Sequence, residues 1–140
     1  MKNLLRLVTL LSLLLTACGS SPPADADVAI LFNEEECELL KAPEGDAPNP
    51  IRIAMKNPTE KVYAVILVTL GSGYTRADLE SYKGDSIPPP VEKIIRHMDP
   101  DIKGDWLVEE LSLNPNTEYF VVCAQEGVGT LSVPLALTPR

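Results

Sequence analysis

A chain of 140 residues with 20 Asp and Glu against 12 Lys and Arg has the length of one domain, and its formal net charge of −8 is the wrong sign for nucleic acid. The same balance excludes an electrostatic grip on anionic lipid headgroups. Three cysteines leave one thiol over after any pairing, so the use of each has to be argued separately.

The first segment is a secretory leader and not a fold element. Lys2 and Arg6 supply a short basic region, Leu4 to Leu15 is almost wholly apolar, and Thr16-Ala17 puts small residues before Cys18. The apolar run is shorter than the roughly 20 residues a bilayer crossing needs. Leu15-Thr16-Ala17-Cys18 resembles the bacterial lipoprotein lipobox, in which the cysteine is lipidated and becomes the first mature residue. The resemblance implies a signal peptide over 1–17, attachment to the membrane through lipid on Cys18, and a place on the extracytoplasmic side of the bacterial cell envelope. Gly19, in place of an Asp, favours the outer membrane where the cell has two. The mature chain then carries ten Lys and Arg against 20 acids, a net charge of about −10.

With Cys18 assigned, Cys37 and Cys123 remain, on a chain exported to a compartment where disulfides persist. They allow a single intramolecular pairing, and a Cys37–Cys123 bridge is expected. Two buried thiols or a redox pair are the alternatives, the latter without a Cys-x-x-Cys spacing to support it.

Gly19 to Asp27 is small, polar and proline-containing, so 18–27 is expected to be a tether of at most about 30 Å. The domain then occupies 28–140. Val28 to Phe32 and Cys37 to Leu40 read as two strands around the acidic turn Glu34-Glu35-Glu36, and Ala42 to Pro50 as a loop. Ile51, Ile53 and Met55 alternate with Arg52, Ala54 and Lys56, the period of a half-buried strand. After a turn at Asn57-Pro58-Thr59-Glu60, Val62 to Leu70 is apolar on both faces and is expected to be a central strand covered on both sides. Thr75 can cap a short helix near 75–82, with Asp78 at the capping-box position. Val91 to Ile95 fits an edge strand or a helical turn, and His97 to Gly104 an irregular surface. Strands are expected again at 106–113 and 119–123, and at 130–137, where Pro134 implies an edge or a bulge.

These elements make seven or eight strands with one minor helix, an all-β single Greek-key β-sandwich. Leu113-x-Pro115-x-Thr117-x-Tyr119, then Val-Cys-Ala and Gly129 to Pro134, resembles the end of an immunoglobulin/fibronectin III-like domain, in which the tyrosine bonds back to upstream backbone. The early cysteine strand, Ile51 to Thr59, the long apolar strand and Asn116 to Cys123 before a glycine loop resemble a cupredoxin-like domain. The chain is also similar to short bacterial exported proteins with a Phe-x(4)-Cys start (Phe32, Cys37), a middle like Gly73 to Leu79, and a Tyr-x-x-x-Cys end (Tyr119, Cys123). A cupredoxin copper site needs two His, a Cys thiolate and usually a Met. This chain has one histidine, so the resemblance implies the fold and denies the copper.

No cofactor, metal or catalytic set is expected. His97 with Met98 and Asp99, Asp99 with Asp101, and the three consecutive Glu are the remaining cation candidates, each short of ligands. The Gly71-Ser72-Gly73 segment lacks the rest of a phosphate loop. The chain is therefore expected not to be an enzyme but to have a binding or structural role, with an envelope protein as partner and no nucleic acid. A weak cation-binding domain and a glycan or cell-wall module are the alternatives. Tyr63, Tyr74, Tyr82 and Trp106 are the candidate binding-surface aromatics, with core packing as the competing use of each.

Overall fold

The computed structural model describes residues 21–83 and 87–140. In chain order the elements are β1 (Val28–Phe32), β2 (Cys37–Lys41), β3 (Ile51–Lys56), β4 (Tyr63–Leu70), α1 (Arg76–Ser81), β5 (Val91–Met98), β6 (Leu107–Leu111), β7 (Tyr119–Gln125) and β8 (Gly129–Leu137). They form an all-β sandwich of two four-stranded sheets, ordered β2-β1-β3-β6 and β5-β4-β7-β8. Strand β1 runs parallel to β3, with Val28 opposite Ile53 and Ile30 opposite Met55, while the other ladders are antiparallel. A parallel pair does not fit the wholly antiparallel sheets of the fibronectin arrangement.

Side-chain alternation fills the interior. Ile30, Phe32, Ile53 and Met55 from the first sheet meet Tyr63, Val65, Leu67 and Val121 from the second, each fully or almost fully buried. Phe32 stacks on Tyr63 with ring centroids 4.6 Å apart, and the Tyr63 hydroxyl donates to the Asn33 carbonyl at 2.7 Å. That removes Tyr63 from the candidate surface aromatics. The first residue of β4 falls on the inward phase of the strand, and its hydroxyl finds a backbone acceptor without needing water.

The local turns follow their sequence signals. Asn33 Oδ1 accepts from the backbone of Glu35 and Glu36 at 3.0 and 2.8 Å, which makes the three-Glu segment an Asx-type turn. Buried Asn57 accepts from the Thr59 amide and hydroxyl at 3.1 and 2.9 Å and donates to the Lys61 carbonyl at 2.8 Å. The Tyr119 hydroxyl accepts from the Asn114 amide at 3.0 Å, the corner expected from the sequence. Pro134 lies in edge strand β8, where the ladder to β7 shifts register between Val121 and Cys123.

Three segments depart from expectation. The tether is shorter than 18–27, because Asp27 and Arg52 exchange two bonds of 2.8 Å, Ala26 is buried under Trp106, and Lys41 donates to the Ala24 carbonyl at 3.1 Å. The residues from Ala24 onward therefore belong to the domain. Val91 to Met98 is one continuous edge strand, so His97 and Met98 lie in β5 and not in an irregular loop. Strand β6 is confined to 107–111, with Trp106 just outside it.

The sandwich has two distinguishable poles. At one lie the N-terminal segment, tied to the start of β3 by the Asp27–Arg52 bonds, and the C-terminus, tied to the loop before β3 by the Ala47–Pro139 bridge. The Asn33, Asn57 and Gln125–Gly129 turns gather at the other, where Glu126 donates to the Val62 carbonyl at 3.0 Å.

Cys37 at the start of β2 is bonded to Cys123 late in β7, across a sequence separation of 86 residues, so the bridge joins the two sheets. Closing a loop of that length stabilises the fold by about 4–5 kcal/mol in the chain-entropy account. The double variant C37A/C123A is expected to lose about 2–5 kcal/mol in urea unfolding, and an unchanged midpoint would contradict the assignment.

Candidate functional site

The outer face of the β5-β4-β7-β8 sheet is where the sequence leaves apolar side chains without an interior to enter. Alternation sends Tyr63, Val65 and Leu67 inward, and therefore sends Ala64, Ile66 and Val68 of β4 outward, beside Val122 and Ala124 of β7. An antiparallel sheet with one solvated face normally shows polar residues there.

Helix α1 covers one end of this face. Thr75 caps it, accepting from the Asp78 amide, while the Asp78 carboxylate accepts from the Thr75 amide and hydroxyl at 2.7 Å each. Both donors hold the Asp78 carboxyl below its ordinary value of 3.8. Arg76 donates to the Val133 carbonyl and pairs with Glu80 at 2.7 Å, which fixes the helix over β8. Leu79 then inserts, fully buried, among Val68, Phe120, Val122 and Val133.

Beyond Leu79 the face is open among the described residues. An apolar groove of about 630 Å³ runs over Ala64, Ile66, Val122 and Ala124, a volume within the range of small-ligand and peptide sites. Val62, Ile87 and Ile94 border it at 44%, 62% and 39% exposure, too much for core residues. Among the described residues, the expectation that β4 is covered on both sides is thus met where Leu79 sits.

The polar groups lie on the rim. His97 Nε2 is 3.0 Å from Asp99 Oδ1, both side chains largely exposed, and Gln125, Glu126 and Thr130 line the far end. Met98 lies between His97 and Asp99 in sequence but points into the core at 2% exposure, so the three cannot share an ion. Among the described residues no three His, Cys, Asp or Glu side chains are placed to hold a metal.

The sequence-derived site residues do not converge. Cys18 lies outside the described residues. Cys37 and Cys123 form the inter-sheet bond, and Cys37 Sγ also lies 3.1 Å from the Ser132 hydroxyl. Tyr74 is exposed in the loop before α1, Tyr82 is half-buried at the helix C-cap, and Trp106 packs on Ala26, Ala29 and Ala54 outside the other sheet. The groove residues Val62, Ile66, Ile87 and Ile94 were not singled out by sequence, although the two-faced apolar run of β4 was the signal that pointed to them.

Asp78 titration tests the helix that walls the groove. With its folded pKa lowered, the carboxylate supports the α1 cap fully above about pH 3.8, and the support is lost as pH falls through the lowered value. Carboxyl NMR titration is expected to place Asp78 below the ordinary Asp range, and Thr75→Ala to return it upward; an identical titration in both proteins would contradict the cap. No family model matches the chain, and neither the curated proteins nor the solved structures contain a match to it.

Proposed function

We propose that this protein is a lipoprotein of the bacterial cell envelope, held on the extracytoplasmic side of a membrane by lipid on Cys18, with a non-catalytic binding role exercised through the groove on β4 and β7. The leader and its Leu-Thr-Ala-Cys ending support the anchor, and a disulfide between sheets suits an exported chain. The observation that carries the binding role is the open apolar floor bordered by exposed Val62, Ile87 and Ile94. A non-catalytic reading is supported by the bonded state of Cys123 and by the exposed His97, whose described ion-pair partner is Asp99 alone.

The alternatives draw less support. A cation site would need ligands beyond the His97–Asp99 pair. A glycan module would use an aromatic platform on one sheet face, whereas Tyr63 is internal and Tyr74, Tyr82 and Trp106 lie apart.

A photo-crosslinking residue placed at Ile94 in the living cell, with Glu38 on the other sheet as the control position, tests the binding role. Adducts are expected from Ile94 and not from Glu38; no adduct from Ile94, or equal adducts from both, would reject it. Mass spectrometry of the membrane fraction tests the anchor, with an acylated N-terminal peptide beginning at Cys18 expected and its loss in Cys18→Ser.

A further inference from the structure

We propose that the groove takes an apolar segment carrying Lys or Arg from a second envelope protein, presented from the pole that faces away from the membrane. This rests on the anchored, binding reading above and names the chemistry of the partner.

The first argument is where the chain enters. The domain is fastened from Ala24 onward by Lys41, Arg52 and the burial of Ala26, so only about 20 Å of chain can separate Cys18 from the first fastened residue. That entry lies on the β2-β1-β3-β6 sheet, at the pole holding the start of β3. The groove lies on the outside of the other sheet, and its far rim, formed by Val62, Asp99 and Glu126, is at the opposite pole. The N-terminal chain therefore enters on the wrong sheet and at the wrong pole to fill the groove. The end nearer the anchor is walled by Leu79, Ile87 and Pro88.

The second argument is shape. Along the line of β4 the open floor extends from Val62 to Ile66, about 13 Å at the strand rise, which is the length of four or five extended residues, and Val68 beneath Leu79 closes it. Apolar side chains at alternate positions of such a segment would cover Ile66 and the flanks of Val62 and Ile94.

Charge decides the remaining feature. Asp99 and Glu126 stand on the far rim, while two lysines of that pole, Lys61 and Lys103, are engaged by Glu34 and Glu60. His97 Nε2 lies 3.0 Å from Asp99 Oδ1 on the same rim, and Glu126 stands exposed beside it. The rim and the net charge of the mature chain favour cationic groups and oppose anionic headgroups.

The test uses the lipidated full chain in phosphatidylcholine nanodiscs and fluorescein-labelled peptides alternating leucine with lysine or leucine with glutamate, read by anisotropy. The lysine peptide is expected to bind about tenfold or more tightly than the glutamate peptide. In D99N/E126Q that preference should fall below about threefold, and Ile94→Glu should weaken binding of the glutamate peptide further. Thermal melts establish that both variants fold. Equal affinity for the two peptides, preference for glutamate, or displacement of the lysine peptide by phosphatidylglycerol vesicles but not by unlabelled peptide would overturn the proposal. If Ile94 crosslinks in the cell while the lysine peptide fails to bind, the partner chemistry is wrong and the binding role stands; if both fail, both are rejected.

Discussion

Strands β4 and β7 carry apolar side chains on both faces, and a two-sheet sandwich has a single interior. Most of the architecture can be derived from that constraint. The inward phase, Tyr63, Val65, Leu67, Val121 and Cys123, is covered by the first sheet and joined to it by a disulfide. The outward phase needs a second cover, and helix α1 supplies one leucine's worth at Leu79. A six-residue helix spans roughly 9 Å, too short to roof a strand of eight residues, so the remainder of the outer face is left as a groove. The site and the core are thus two consequences of one strand pair.

Features encoded within a few residues were legible in the sequence. The acidic hairpin turn, the Asn57 corner, the Thr75–Asp78 capping box and the Tyr119 corner each depend on side chains bonding to nearby backbone, so their spacing alone specified them. The position of Pro134 in an edge strand follows as directly from its missing donor. The cysteine pairing was legible by a different route, as the one connectivity left once Cys18 is set aside as the expected lipidation site.

What depended on distant chain was not. Ala24 to Asp27 has the composition of a linker, yet Arg52, some 25 residues on, turns it into structure by offering both backbone groups to Asp27. Tyr63 looked equally suited to a surface and to a core until strand phase and Phe32 decided between them. His97, Met98 and Asp99 appeared as a constellation because they are adjacent in sequence, and a strand separates such neighbours onto opposite faces. Apolar periodicity identified a second face on β4 but could not measure how much of it a helix elsewhere in the chain would cover.

The docking of residues 24–27 also sets how the fold carries load. Tension on the N-terminus enters at Asp27 and runs along the axis of β1, which is hydrogen-bonded to β2 on one side and to β3 on the other. Pulled in that direction the two ladders are sheared, and their bonds resist together instead of opening one at a time as in peeling from an edge. The strand that follows the docked segment is an interior strand of its sheet, hydrogen-bonded along both edges.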